Sequence, residues 1–272
     1  MTQQQGELRV ALIQADIQLG DPEANHQHMQ SLLERAVEQY PDLGLAVLPE
    51  MWNTGYALEQ IHELADPEGE YSRAWLSAFA KKHQISIVGG SIAEKRNDQI
   101  YNTMYAYDRE GREVTRYDKL HLFRLMDEEK YLQPGAEPEI FELENGLTVG
   151  ASICYDIRFP ELARTLALNG AKALIVPAEW PKPRLHHWRT LLTARAIENQ
   201  MYVIACNRVG MGGDTEFFGH SLIIDPWGEI VAEGGEGEEI VTGMICPSLV
   251  DEVRGRIPVF EDRRPGLYFG KK

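Results

Sequence analysis

The run Leu147-Thr-Val-Gly-Ala-Ser-Ile-Cys154 reads as a buried strand, and after a tight turn through Tyr155–Phe159 a helix opens at Pro160. A strand that feeds directly into a helix belongs in an open α/β sheet. Such a turn lifts one side chain over the sheet edge, where these sheets place their chemistry. Here the lifted side chain is Cys154. Free backbone N–H groups and a helix N-terminus beside it favour a thiolate and a developing oxyanion. Residue type alone does not decide the matter, because a buried cysteine usually packs as a small apolar side chain. Cys206 and Cys246, at the ends of apolar runs, are expected to do only that. Three cysteines without a C-x-x-C pair give neither a disulfide framework nor a zinc ribbon.

Strand-like and amphipathic stretches alternate along most of the 272 residues. Leu8–Gln14, Leu43–Pro49 and Ile85–Ile92 read as strands. Pro22 opens a helix with Met29, Leu32, Leu33, Ala36 and Val37 at helical spacing, and Tyr71–His83 is a second helix. Tyr101–Tyr107, Glu113–Tyr117 and Glu139–Leu143 then read as antiparallel strands separated by Gly-containing turns. Beyond the Cys154 turn come a strand at Ala173–Pro177, a long helix from about Pro183 to Gln200, and strands at Tyr202–Cys206, Ser221–Ile224, Glu229–Ala232 and Ile240–Ile245. So many strands exceed one ordinary sheet, and the fold expected is a four-layer α-β-β-α sandwich. No Pro-, Ser- or Gly-rich linker divides the chain, so residues 1–272 are expected to form a single domain.

Acidic residues outnumber basic ones by 42 to 27, for a formal charge of −15. That balance argues against nucleic acid and against anionic membranes as partners. Met1–Glu7 lacks the basic-then-apolar pattern of a signal peptide, and no apolar run approaches membrane-spanning length. A cytoplasmic, reduced protein is the expectation.

Two further reactive residues stand in unusual places. Glu50 follows the strand Leu43–Pro49, so its carboxylate is expected over the same sheet edge as Cys154. Lys119 lies amid apolar neighbours in Tyr117-Asp-Lys-Leu-His-Leu-Phe123. Taken singly, each has an ordinary reading, a helix-cap Glu and a snorkelling Lys. Together they supply what a thiol nucleophile requires: a base, an oxyanion stabiliser and a proton donor for a leaving amine. Glu50 is the expected base, its pKa raised by partial burial, and Lys119 the expected oxyanion partner that also lowers the thiol pKa.

Pro49-Glu50, Asp118-Lys-Leu-His121 and Cys154-Tyr-Asp-Ile-Arg-Phe-Pro-Glu-Leu162 resemble the Glu-Lys-Cys motifs of the nitrilase superfamily of carbon–nitrogen hydrolases. The likeness continues through His187-Trp188, Ala194–Gln200, Gly219-His-Ser221, Asp225-Pro-Trp-Gly228 and Arg263-Arg-Pro265, covering essentially the whole chain in order. It implies Glu50 as general base, Lys119 as oxyanion stabiliser, Cys154 as nucleophile and the Tyr155 backbone N–H as the second oxyanion donor. It also implies a second glutamate after the lysine motif. Counting back from Leu132 and Gly135 selects Glu128, with its neighbour Glu129 as the alternative. The resemblance further implies the sandwich fold and a homodimer or higher homo-oligomer, and the scheme needs no cofactor.

Phe123–Glu128 and Glu179–Arg184 resemble a bacterial branch that includes ω-amidases, which hydrolyse the terminal amide of 2-oxo acids such as 2-oxoglutaramate. A small amide carrying a carboxylate wants a cationic partner, for which Arg158 and Arg184 are the candidates. Each could equally make an internal ion pair. Trp52, Tyr56, Phe123 and Trp180 are expected to wall the pocket, though aromatic residues are also ordinary core. No histidine group shows a metal-site pattern, and no metal is assigned. The same triad would serve a nitrilase or an N-carbamoyl hydrolase. A non-catalytic scaffold is disfavoured by the presence of all three reactive residues, and a dinucleotide-binding domain by the lack of a G-x-G-x-x-G opening a helix.

Overall fold

The computed structural model describes residues 6–268, so Met1–Gln5, which were part of the leader reading, lie outside the described residues. Leu8–Gln14 is the strand from which the first sheet grows. It pairs in parallel with Leu43–Val47 and antiparallel with Glu239–Ile245, which returns from near the other end of the chain. Ser86–Val88 extends the parallel set, and Gln99–Tyr107 follows antiparallel, carrying Ile92–Arg96 and Glu113–Asp118 on its other contacts. The second sheet has Thr148–Ala151, Ala173–Ala178 and Tyr202–Asn207 in parallel at its centre, with Ile140–Glu142 and Leu222–Ile224 antiparallel on either side.

The period of two in these strands decides the layers. Val10 and Leu12, with Leu45 and Val47, point between the sheets and meet Val149, Ala151, Ile175 and Ile204. Ala11 and Ile13, with Ala46 and Leu48, point the other way, onto Met29, Leu32, Leu33, Leu76 and Phe79 of the helices Pro22–Gln39 and Glu70–His83. Helices Pro160–Leu168 and Leu185–Asn199 cover the second sheet through Leu162, Leu166, Trp188 and Leu192. The order is therefore helix, sheet, sheet, helix, as expected. Each fully buried Leu, Ile or Val in this core contributes roughly 1.5–3 kcal/mol.

Several boundaries differ from the sequence reading, each for a physical reason. The strand expected across Ile85–Ile92 is two strands, Ser86–Val88 and Ile92–Arg96, broken at Gly89-Gly90. Gly90 has φ +60°, and a Cβ there would stand 2.0 Å from the carbonyl oxygen of Pro49. The chain bends here to wrap the loop that carries Glu50. The strand expected to reach Cys154 ends at Ala151, because a 3-10 turn occupies Cys154–Arg158. The hairpin Val209–Gly212 with Thr215–Phe218 and the helix Ser248–Arg256 are elements that the sequence pattern did not announce.

Candidate active site

Glu50, Lys119 and Cys154 each follow a strand and converge between the ends of the two sheets. Glu50 leaves the first sheet just beyond Leu43–Val47. Its loop is pinned by the Met51 N–H donating to Ser91 Oγ at 3.0 Å and the Ser91 N–H donating to Pro49 O at 3.1 Å. Lys119 follows Glu113–Asp118, and its backbone N–H donates to Asn102 O at 2.9 Å. Cys154 opens the 3-10 turn with φ +46°, a left-handed conformation that costs a non-glycine residue of order 1–3 kcal/mol and persists only where the surroundings enforce it.

Asp156 provides much of that enforcement. Buried, it accepts from the Ile153 N–H at 2.9 Å and the Tyr117 hydroxyl at 2.7 Å on Oδ2. Its Oδ1 lies 3.0 Å from the His121 N–H and 2.7 Å from His121 Nδ1. One carboxylate thus ties the strand before Lys119, the segment after it and the cysteine turn together. His121 also stacks on the Phe159 ring, with centroids 3.6 Å apart. The Tyr155 backbone N–H has no hydrogen-bond partner among the described residues.

Lys119 is wholly buried, which removes the snorkelling alternative, and its Nζ stands 2.7 Å from Oε1 of Glu50 and 2.7 Å from Oε1 of Glu128. Glu128 is buried while Glu129 is exposed, so the one-turn helix Glu128–Tyr131 presents only the first of the two acids to this cluster. Glu50 Oε1 also accepts from Asn102 Nδ2 at 2.8 Å and from the Tyr56 hydroxyl at 2.8 Å. Glu50 Oε2 accepts from the Glu179 backbone N–H at 2.8 Å, and the Cys154 thiol lies within hydrogen-bonding reach of the same carboxyl group. The Tyr56 hydroxyl also lies 2.7 Å from Glu128 Oε1. It has a single hydrogen for two carboxyl groups, so a proton on Glu128 completes the network.

The electrostatics agree with that proton count and correct two expectations, the raised Glu50 and the lowered Cys154. Burial pushes the Glu50 carboxyl up, but Lys119, the Glu179 N–H and the nearby thiol outweigh it, leaving Glu50 below the usual range rather than above it. Glu128 is the carboxyl held above the usual range, by burial and by the charge of Glu50, against the pull of Lys119. Cys154 is raised well above an ordinary thiol by burial and the Glu50 charge, against Lys119. The resting site therefore holds a thiol rather than a preformed thiolate. Lys119 stays charged because two carboxyl groups oppose the cost of its burial.

Cys154 opens onto a narrow cavity with room for about one water, about 10 Å3. Tyr56, Phe123, Tyr155, Arg158, Trp180 and Arg184 line it, so all of the substrate candidates except Trp52 meet there. Trp52 instead lies in the core beneath the outer helices, packed on His26 and Trp75 with its Nε1–H donating to Gly89 O at 2.7 Å. Arg158 lies over the Trp180 ring at 4.7 Å and Arg184 over Phe123 at 5.7 Å. Among the described residues neither is ion-paired, although the chain is rich in carboxylates. Burial and the neighbouring Arg184 hold the Arg158 pKa below its ordinary value.

Glu179 was not singled out from the sequence. It ends the apolar run Ala173–Ala178 as Glu50 ends Leu43–Pro49, and that parallel was the available signal. It is buried beside the cavity, and Arg208, wholly buried, reaches its Oε2 at 3.4 Å. Burial pushes its carboxyl up to about 8 in spite of Arg208.

Comparison with known proteins adds three findings. The family described as carbon-nitrogen hydrolase matches residues 9–255. A 2-oxoglutaramate amidase of Bacillus subtilis (strain 168) is 49% identical over 259 residues, covering 95% of this chain and 98% of that protein, and an omega-amidase of Saccharomyces cerevisiae is 36% identical, covering 96% and 94%. The crystal structure of a Saccharomyces cerevisiae member of branch 10 of the nitrilase superfamily superposes with a TM-score of 0.88 at 35% identity, over 95% of this chain and 97% of that one.

Proposed function

Because the chain belongs to the carbon–nitrogen hydrolase family and is a hydrolase of carbon–nitrogen bonds, we propose that it is an ω-amidase that converts 2-oxoglutaramate to 2-oxoglutarate and ammonia. The observation that carries this substrate is the pair Arg158 and Arg184, cationic, without carboxylate partners among the described residues, and facing the cavity of Cys154. An anionic substrate end satisfies both.

In the scheme, the carboxamide carbon sits over Cys154 with its oxygen toward Lys119 Nζ and the Tyr155 N–H. As the S–C bond forms, the thiol proton passes to Glu50 Oε2, since burial disfavours a free thiolate. Lys119 and the Tyr155 N–H hold the oxyanion. Collapse of the tetrahedral intermediate breaks the C–N bond, Glu50 returns the proton to the leaving nitrogen, and ammonia departs from a thioester. Water then attacks the thioester while Glu50 takes its proton. When the C–S bond breaks, that proton goes to the Cys154 sulfur and the carboxylic acid is released. Glu128, its carboxyl held above the usual range by burial, holds Lys119 at 2.7 Å.

Ammonia release from 2-oxoglutaramate, from N-carbamoyl amino acids and from aliphatic nitriles tests the reading. Preference for 2-oxoglutaramate is expected, and preference for either of the others would overturn it. A homodimer across the outer helices Pro160–Leu168 and Leu185–Asn199 belongs to the same proposal, supported by exposed Leu168 and Ile197. A sedimentation mass equal to the monomer at every concentration would contradict it. A cytoplasmic setting is proposed as well, supported by three free cysteines.

A further inference from the structure

We propose that Glu179 is a specificity-determining residue whose free carboxyl oxygen accepts an N–H of the scissile carboxamide, selecting amides over esters of the same acid. This inference rests on the amidase reading and adds to it the recognition of the leaving nitrogen. Geometry leads there in steps. With the carbonyl oxygen directed at Lys119 and the Tyr155 N–H, the leaving nitrogen must lie within reach of Glu50 Oε2, which supplies its proton. That oxygen is held at 2.8 Å by the backbone N–H of Glu179 itself. The nitrogen therefore arrives beside Glu179, which lines the same cavity.

An amide nitrogen brings hydrogens that need acceptors once water is expelled, and a buried donor left without one costs about 1–3 kcal/mol. Glu50 Oε1 cannot help, since Lys119, Tyr56 and Asn102 already occupy it. Glu179 Oε1 is buried and has no partner among the described residues, whereas Oε2 is engaged by Arg208. Arg208 is in turn fixed by the carbonyls of Ile17 at 2.8 Å, Val209 at 3.0 Å and Met211 at 3.2 Å, so it anchors one carboxyl oxygen while the other is buried and unpaired among the described residues. The shift of the carboxyl to about 8 keeps it largely neutral at pH 7. A substrate N–H on Oε1, with Arg208 on Oε2, favours the carboxylate, so binding of the amide draws the pKa of this carboxyl down.

The test compares kcat/KM for 2-oxoglutaramate and for the methyl ester of the same acid in wild type and in Glu179→Gln. In the variant, Arg208 claims the new amide oxygen, so an NH2 group faces the substrate nitrogen, donor against donor. The expected result is an amide-to-ester ratio at least about tenfold lower than wild type. If Glu179→Gln does not fold, the double variant Glu179→Met with Arg208→Met replaces the buried pair by apolar groups, a change often tolerated, and the same fall in ratio is expected. An unchanged ratio in folded variant, whether both rates fall or neither does, overturns the role of Glu179 and leaves the amidase reading intact. A wild-type protein that hydrolyses the ester but no amide overturns both.

Discussion

The backbone N–H of Glu179 donates to Oε2 of Glu50 across 2.8 Å, and so joins the ends of two strands that belong to different sheets. Leu43–Val47 delivers Glu50 from the first sheet, and Ala173–Ala178 delivers the donor that orients its carboxylate from the second. The position of Glu50 Oε2 thus depends on how the two sheets pack. Loss of packing between them is expected to reach the chemistry directly.

Removing the cation at the centre of the cluster is the most disruptive single change in charge. Lys119→Met leaves the Glu50 and Glu128 carboxyls buried without their common partner. Such a break costs about 3–5 kcal/mol, and the loss of an oxyanion donor costs about 100- to 1000-fold in kcat. A denaturant melt and steady-state kinetics check both, and kcat within tenfold of wild type would contradict the assignment.

The adjacent acids Glu128 and Glu129 are expected to behave very differently. Glu128→Ala removes the buried carboxyl that holds Lys119, and kcat is expected to fall by about 10- to 100-fold. Glu129 is exposed, and Glu129→Ala should leave kcat and stability within about twofold of wild type. Equal effects in the two variants would overturn the distinction.

These two acids also show how far the sequence could be read. Glu50, Lys119 and Cys154 stood out because a charged or reactive side chain beside an apolar strand has few ordinary explanations, and the structure brings all three together. Choosing Glu128 over Glu129 required motif spacing, because only the one-turn helix decides which side chain turns inward. Glu179 carried the same signal as Glu50 and was passed over. The sign of the Glu50 shift was not legible, since it depends on several partners from remote segments converging on one carboxylate. Trp52 follows Glu50 closely in sequence, yet the backbone reverses at Met51, with φ +46°, and the indole turns into the core.

Arg158 and Arg184, without ion-pair partners among the described residues, predict a charge-selective pocket. Arg158→Gln and Arg184→Gln should each raise KM for 2-oxoglutaramate by about tenfold or more, as expected when a charge-assisted hydrogen bond is lost. A neutral amide of similar length should show little change in KM. A parallel rise for both substrates would indicate a purely structural role for the arginines.

His26 gives a prediction for pH. It packs against Trp52 at 4.6 Å and Tyr71 at 4.5 Å, and burial, opposed by Asp66, lowers its pKa from 6.5 to about 4. Between those values the unfolded chain binds a proton that the folded protein does not, so this group removes stability as pH falls from 6.5 toward 4. His26→Phe should lose less melting temperature than wild type between pH 7 and pH 4.5. An NMR titration placing His26 at an ordinary value would contradict this.

The central claim is that the Cys154 sulfur attacks the amide carbon. Its most direct measurement is ammonia release from 2-oxoglutaramate by Cys154→Ala, with circular dichroism to show that the variant is folded. The account predicts a folded protein whose turnover is lower by about four orders of magnitude or more. A folded Cys154→Ala protein that releases ammonia at the wild-type rate would contradict it.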